Sequence, residues 1–143
     1  MYVTVEGVNS ARTAKLIEDV IQYAKDQLMS NIRKLFIDVE VIDGYVYQEG
    51  INGETIYDGN GRHVTIAIDP NQPLQEFITT LLHEMVHVKQ YIAGELKDSS
   101  WKGEYFEGSY KDSPWEKEAY RLESVLLEGF LAKKRLILSS VPL

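Results

Sequence analysis

The chain has 143 residues, a formal charge of −7, no cysteine and 44% hydrophobic residues. That length and apolar content suit one domain, residues 1–143, with a core of its own. Without cysteine there is no disulfide framework, thiolate metal site or thiol nucleophile, so any metal must be held by His, Asp or Glu.

The negative charge argues against a nucleic-acid partner, because phosphate binding needs clustered Lys and Arg. The N-terminal residues lack the basic and then apolar run of a secretory signal, and no apolar stretch approaches the ~20 residues needed to cross a bilayer. The expectation is a soluble, cytoplasmic chain without a membrane partner.

Tyr2 to Glu6 alternates as a short strand, and Ser10 offers a cap for a helix whose stripe is Leu16, Ile17, Val20, Ile21, Ala24 and Leu28. Leu35 to Ile42 is β-branched and apolar. Asp43-Gly44, Asn52-Gly53 and Asp58-Gly59-Asn60-Gly61 then punctuate three further extended pieces, which predicts a small antiparallel meander ending in Val64–Ile68. The Gly and Asp in these turns read as turn chemistry, because no run has the spacing of an EF-hand loop.

Pro70 and Pro73 close the sheet region, with Asp69 or Asn71 as candidate caps for the next helix. That helix, about Leu74 to Ala93, has Leu74, Phe77, Ile78, Leu81, Leu82, Met85, Val88 and Ile92 on a broad face and stops at Gly94. Glu95 to Asp112 has no clear period and reads as a long loop, a kind of segment that is often functional in compact domains. A last helix starts at Ser113-Pro114 and runs to about Leu136, with Trp115, Ala119, Leu122, Leu126 and Phe130 as its stripe. The one basic run, Lys133-Lys134-Arg135, falls late in that helix, where it complements the helix dipole or is simply solvated.

The segment "LLHEMVHVKQY", residues 81–91, holds two of the three histidines. Residues i and i+4 share a helix face, so His83 and His87 can aim imidazole nitrogens at one cation. Glu84 is rotated by about 100° from His83 and falls beside the pair, within reach of a water at the metal and outside the ligand positions. His-Glu-x-x-His rarely arises by chance in a chain with so few histidines, and the alternative of two ordinary polar-face histidines is the weaker reading. The pair falls opposite the apolar stripe, near Thr80 and Gln90, where it can face a cleft.

A catalytic zinc site needs a third protein ligand and an open position. No histidine follows His87, so the later candidates are Glu95, Asp98, Glu104, Glu107, Asp112, Glu116, Glu118 and Glu123. A ligand on a rigid helix holds closer geometry than one on a loop, which favours Glu116 to Glu123.

"HEMVH" followed by "SPWEKEAYRLE" resembles the gluzincins, zinc metallopeptidases in which a glutamate on a second helix completes the site, and among them the short single-domain peptidases of phages and prokaryotes. The resemblance covers some twenty residues and the order of elements. It implies an α+β, zincin-like fold: an N-terminal helix, a small mainly antiparallel sheet, an active-site helix and a C-terminal helix carrying the third ligand. Residue by residue it implies Zn²⁺ held by His83, His87 and Glu116, with Glu84 as general base of peptide hydrolysis. Where some branches have an acidic or amide residue that holds a ligand histidine, this chain has Tyr120, and Glu123 or a backbone carbonyl is a rival partner.

Glu116 also fits a capping box with Ser113, which would shift the ligand role to Glu118 or Glu107. Tyr105, Tyr110 and Tyr120 are candidate oxyanion donors, and Val64–Ile68 is the candidate strand for pairing with a substrate backbone. Trp101, Lys102, Tyr105 and Phe106 form either a substrate wall or a small cluster that holds the loop. The implied partner is a peptide or protein substrate. The competing function is a metal-stabilised protein-binding domain without catalysis, against which the intact Glu84 counts.

Overall fold

The computed structural model describes residues 1–139. Strand β1 (Tyr2–Glu6) leads through helix α1 (Ala11–Leu28) to strand β2 (Phe36–Val41). Ser10 caps α1 as its sequence requires, its side chain accepting the Thr13 N–H at 3.1 Å. Ile17, Val20, Ile21 and Ala24 bury one stripe of α1 completely. Because an 18-residue helix carries the chain back across the sheet, β1 and β2 run parallel, Tyr2 opposite Phe36 and Glu6 opposite Glu40.

A short helix, α2 (Tyr45–Glu49), follows and then strands β3 (Gly53–Ile56) and β4 (His63–Ile68). The sheet order is β1-β2-β4-β3. Strand β4 lies parallel to β2, and only β3 runs antiparallel, on β4. The class is α+β as expected, but the mainly antiparallel meander is overturned: two of the three strand pairings are parallel. The turn signals after residue 52 did mark a true hairpin, β3–β4. The connection from β2 to β3, however, passes over the place that β4 then fills.

Residues 45–51, expected to be extended, begin instead as α2. Tyr45, Val46 and Tyr47 favour a strand locally, but Asp69, which is fully buried, accepts the Val46 N–H at 3.0 Å and satisfies the start of this helix from 23 positions away. Asp69 also accepts the Asn71 N–H and the Asn71 side-chain amide, each at 2.9 Å. It therefore ties two connections together and does not cap the following helix, whose N-cap is Pro73.

These hydrogen bonds, the Val46 N–H foremost, hold the Asp69 carboxyl below the usual carboxylate range against the opposing effect of burial. A depressed carboxyl stabilises the fold above the unfolded-state value of about 3.9, and that contribution disappears as pH falls through the folded value. Asp69→Ala is expected to cost about 1–3 kcal/mol at neutral pH, read from urea unfolding, with a smaller difference from wild type in acid.

Helix α3 (Leu74–Ile92) packs Leu81, Leu82, Met85, Val86 and Val88 into a core completed by α1 and the inward residues of β2 and β4. It stops where Gly94 takes φ of 73°, a conformation that glycine adopts without strain. The expected loop contains a small antiparallel sheet, β5 (Leu96–Lys97), β6 (Ser100–Trp101) and β7 (Glu104–Tyr105), and a 3-10 turn, Tyr110–Asp112.

Helix α4 (Pro114–Ser139) then lies against α3 and α1 through Ala119, Leu126 and Phe130. Lys134 pairs with Asp19 of α1 at 2.8 Å, so the basic run is in part a helix–helix contact. Among the described residues no helix is long and apolar enough to cross a membrane.

Candidate metal centre

His83 and His87 project from α3 toward the first turn of α4, and their Nε2 atoms lie 3.2 Å apart. Glu116 reaches both from α4, with Oε1 at 2.5 Å from His87 Nε2 and Oε2 at 3.4 Å from His83 Nε2. Among the described residues these three form a group of His, Asp and Glu side chains able to hold a metal ion, their ligand atoms all within 4.8 Å of one another. Donors bound at about 2.0–2.1 Å to a tetrahedral ion lie ~3.3 Å apart, which the 3.2 Å between the two histidine nitrogens matches, while the nearer Glu116 oxygen lies closer to His87 than that. His87 and Glu116 are buried, at 5% and 2% exposure.

The start of α4 explains how Glu116 is aimed. Ser113 caps the helix through its hydroxyl, which accepts the Glu116 N–H at 3.3 Å, and Pro114 occupies the first helical position. The reciprocal half of a capping box is not made, because the Ser113 N–H donates to Tyr110 O. The Glu116 backbone is therefore fixed by the cap while its carboxylate is free for the histidines.

Neither rival for the third position joins the group. Glu118 is held by Lys89 at 3.0 Å and by the Gln90 amide at 3.2 Å. Glu107 is exposed and stands apart from the three ligands.

Each histidine is oriented through its other nitrogen. His83 Nδ1 lies 2.7 Å from Glu123 Oε2, and His87 Nδ1 lies 2.7 Å from Gln90 Oε1. Such partners fix the tautomer and leave Nε2 as the donor to a metal. Glu123 thus does from one turn further along α4 what the resemblance assigns to residue 120, and Tyr120 instead packs its ring on His83 with centroids 4.8 Å apart.

The role of Gln90 was not foreseen. It is fully buried, its amide donating to Trp115 O at 2.9 Å and so turning its oxygen toward His87. The signal in the sequence is a glutamine three residues after His87, close enough along the helix to meet its ring. Glu123→Ala is expected to weaken metal binding about 10- to 100-fold while leaving the fold intact, measured by chelator competition alongside circular dichroism.

The group is poised for a cation. Burial works against a charged His83, yet hydrogen bonds to Glu116 and Glu123 outweigh it and raise its pKa to about 10. Burial likewise pushes Glu116 up, but the two histidines overcome this and draw it down to about 2. With two carboxylates turned on it, the His83 ring attracts either a proton or a metal ion.

Glu84 stands beside this group, 5% exposed, with Oε1 accepting from the Thr55 hydroxyl at 2.8 Å. Burial pushes its pKa up. Thr55 belongs to β3, which closes on α3 because Gly53 has no side chain: a Cβ there would meet Thr80 Cγ2 at 2.7 Å.

The cleft has two lobes that share Ile51, Gly53, Glu84 and Tyr110. One, of about 490 Å³, contains His83, Glu116 and Glu123. The other, of about 300 Å³, is walled by Tyr91, Leu96 and Trp115.

Of the three tyrosines, Tyr110 places its hydroxyl 3.1 Å from Glu116 Oε1, donating to it, and lines both lobes. Tyr120 lines the larger lobe, whereas Tyr105, on β7, lines neither. The strand expected to meet a substrate is corrected: Val64–Ile68 lies in the central strand β4, where β2 pairs with all five residues and β3 with Thr65–Ile68 on the other side. The edge strand beside Glu84 is β3.

Trp101 and Phe106 of the preceding segment each contact another side chain. Phe106 packs edge-on against Trp115 at 5.4 Å and Lys102 lies over Trp101 at 5.2 Å, and neither Trp101 nor Phe106 lines the cleft. Comparison with protein-family models, curated proteins and solved structures gives no match to this chain.

Proposed function

We propose that the chain is a zinc-dependent metallopeptidase of the zincin-like, gluzincin type. The observation that carries this reading is the convergence of His83, His87 and Glu116, with Glu84 beside them, where the two lobes of the cleft meet. Two imidazoles and one carboxylate are a donor set that suits Zn²⁺ and leaves a fourth position open. A zinc ion held there would polarise a scissile carbonyl and lower the pKa of a water molecule to about 7.

The remaining work falls to side chains and backbone of this chain. The Glu84 carboxylate takes the proton of the attacking water and passes it to the leaving amine nitrogen, and its burial strengthens it as a base. The Tyr110 hydroxyl is the best placed of the three tyrosines to donate to the oxyanion, since it already reaches Glu116 from the side of the cleft. The free edge of β3 offers main-chain groups for pairing with an extended peptide.

A protein-binding domain stabilised by metal would need the three ligands but no carboxylate held at the position of Glu84, so this placement favours the enzyme. Incubating the zinc-loaded chain with a mixed peptide library and reading products by mass spectrometry tests the proposal. Cleavage should disappear with a chelator and return with zinc; no cleavage by the loaded chain would contradict it.

A further inference from the structure

A second surface, at the opposite end of the strands from the metal centre, has no part in peptide hydrolysis. Parallel strands are usually covered on both faces, yet in this sheet the helices of the core take one face and part of the other stays open. On the open face Tyr2, Phe36 and His63 stand in register across β1, β2 and β4. The Tyr2 and Phe36 rings are stacked, 5.1 Å and 9° apart, and His63 continues the row 6.3 Å from Phe36. Tyr2 is 66% exposed and Phe36 43%. Among the described residues β1 is the edge of the sheet, and no further strand there covers the outer side of the Tyr2 ring.

Next to this row, in the connections that enter β2 and β4, lie Arg33, Lys34 and Arg62. With Asn31 they line a hollow of about 570 Å³. The Phe36 N–H donates to Arg62 O at 2.8 Å, which holds the two connections together. None of the three cations has an acidic partner among the described residues. The carboxylate nearest the row, Asp38, is engaged by Thr4 and His63. Glu6 and Glu40 lie four residues further along their strands, ~13 Å away.

We propose that this face binds single-stranded nucleic acid, with bases stacking on the Tyr2–Phe36–His63 row and phosphates held by Arg33, Lys34 and Arg62. Exposed aromatic rings on a sheet beside unpaired cations supply the two interactions that such binding uses. An acidic peptide would satisfy the cations and leave the rings idle, and a duplex offers no free base faces along its length. The chain's net charge of −7 is an average over the whole surface, from which this cluster departs. Along β4 the distance from His63 to Ile68, the level of Gly53 and the metal cleft, is ~17 Å, so the two sites do not overlap.

Fluorescence anisotropy of labelled oligothymidine and oligouridine of about twelve nucleotides, with the full chain at low salt, tests this. Saturable binding is expected, with a slope of log affinity against log salt of about −2 for three phosphate contacts. Lys34→Glu with Arg62→Glu should abolish it. Phe36→Ala should weaken it about tenfold, and Phe36→Trp should retain it.

No binding at low salt would overturn the proposal. So would binding that the charge reversal leaves unchanged, or displacement of the oligonucleotide by polyglutamate as readily as by unlabelled oligonucleotide. Should Phe36→Ala lose its circular dichroism signature, the charge-reversal and Phe36→Trp variants decide the matter.

Discussion

Glu84→Gln is expected to bind zinc as wild type does and to cleave peptides about 10²- to 10⁴-fold more slowly, the usual contribution of a positioned general base. Glutamine has the same shape, and its carbonyl oxygen can still accept from the Thr55 hydroxyl at the position where Glu84 Oε1 now lies. Packing and the three ligands are therefore preserved, and only the capacity to take a proton is removed. Parallel measurement of zinc content and cleavage rate separates this from simple metal loss. Wild-type cleavage by Glu84→Gln would remove Glu84 from the mechanism.

The second large effect is expected from Glu116→Gln. Loss of a partner that merely orients a ligand costs about 10- to 100-fold in metal affinity, so loss of a ligand should cost more than about 100-fold. The same variant changes how affinity depends on pH. In the metal-free wild type, His83 holds a proton up to about pH 10, stabilised by Glu116 and Glu123. Because its Nδ1 is committed to Glu123, Nε2 must give up that proton to bind a metal. Affinity should thus rise with pH, about tenfold per unit while one proton is released on binding, and level off near the His83 value. In Glu116→Gln the proton is held less firmly, so the levelling should move to lower pH. Competition titrations with a chromophoric chelator across pH check both statements; an affinity independent of pH would contradict the assignment of His83.

The parts of this structure legible in the sequence are those set by local periodicity and local capping. The stripes of α1 and α3, the Ser10 cap and the Gly94 stop all follow from neighbours within one or two turns. His83, Glu84 and His87 belong to that group, since i, i+1 and i+4 on a helix fix their relative directions.

Glu116 is an intermediate case. Its position in the first turn was legible from Ser113-Pro114, but its carboxylate had two possible uses, and only the Tyr110 carbonyl, by taking the Ser113 N–H, decides between them. What the sequence hid depends on distant partners. The strand order was hidden because β4 enters between β2 and β3 although it follows both in the chain, and the Tyr45–Glu49 helix because its Val46 N–H is satisfied by the distant Asp69. Gln90 and Glu123 acquire roles only when α3 and α4 face each other, which no spacing within either helix states.

The free edge of the sheet is hidden in the sequence for the same kind of reason. Val64–Ile68 is the most apolar strand and precedes α3, but its apolar character reflects a central place in the sheet, between β2 and β3. The free edge belongs to the more polar β3, whose Gly53 and Thr55 approach Glu84 directly.

One metal ion between α3 and α4 would join the two helices and the cleft into a single site, and X-ray absorption at the zinc edge of the loaded chain tests for it most directly. Such a site predicts one zinc per chain with two imidazole nitrogens at about 2.0–2.1 Å and carboxylate oxygen at about 2.0–2.2 Å, and loss of the paired-imidazole signal in His87→Ala. A shell of oxygens alone, a single imidazole, or a spectrum unchanged in His87→Ala would contradict it.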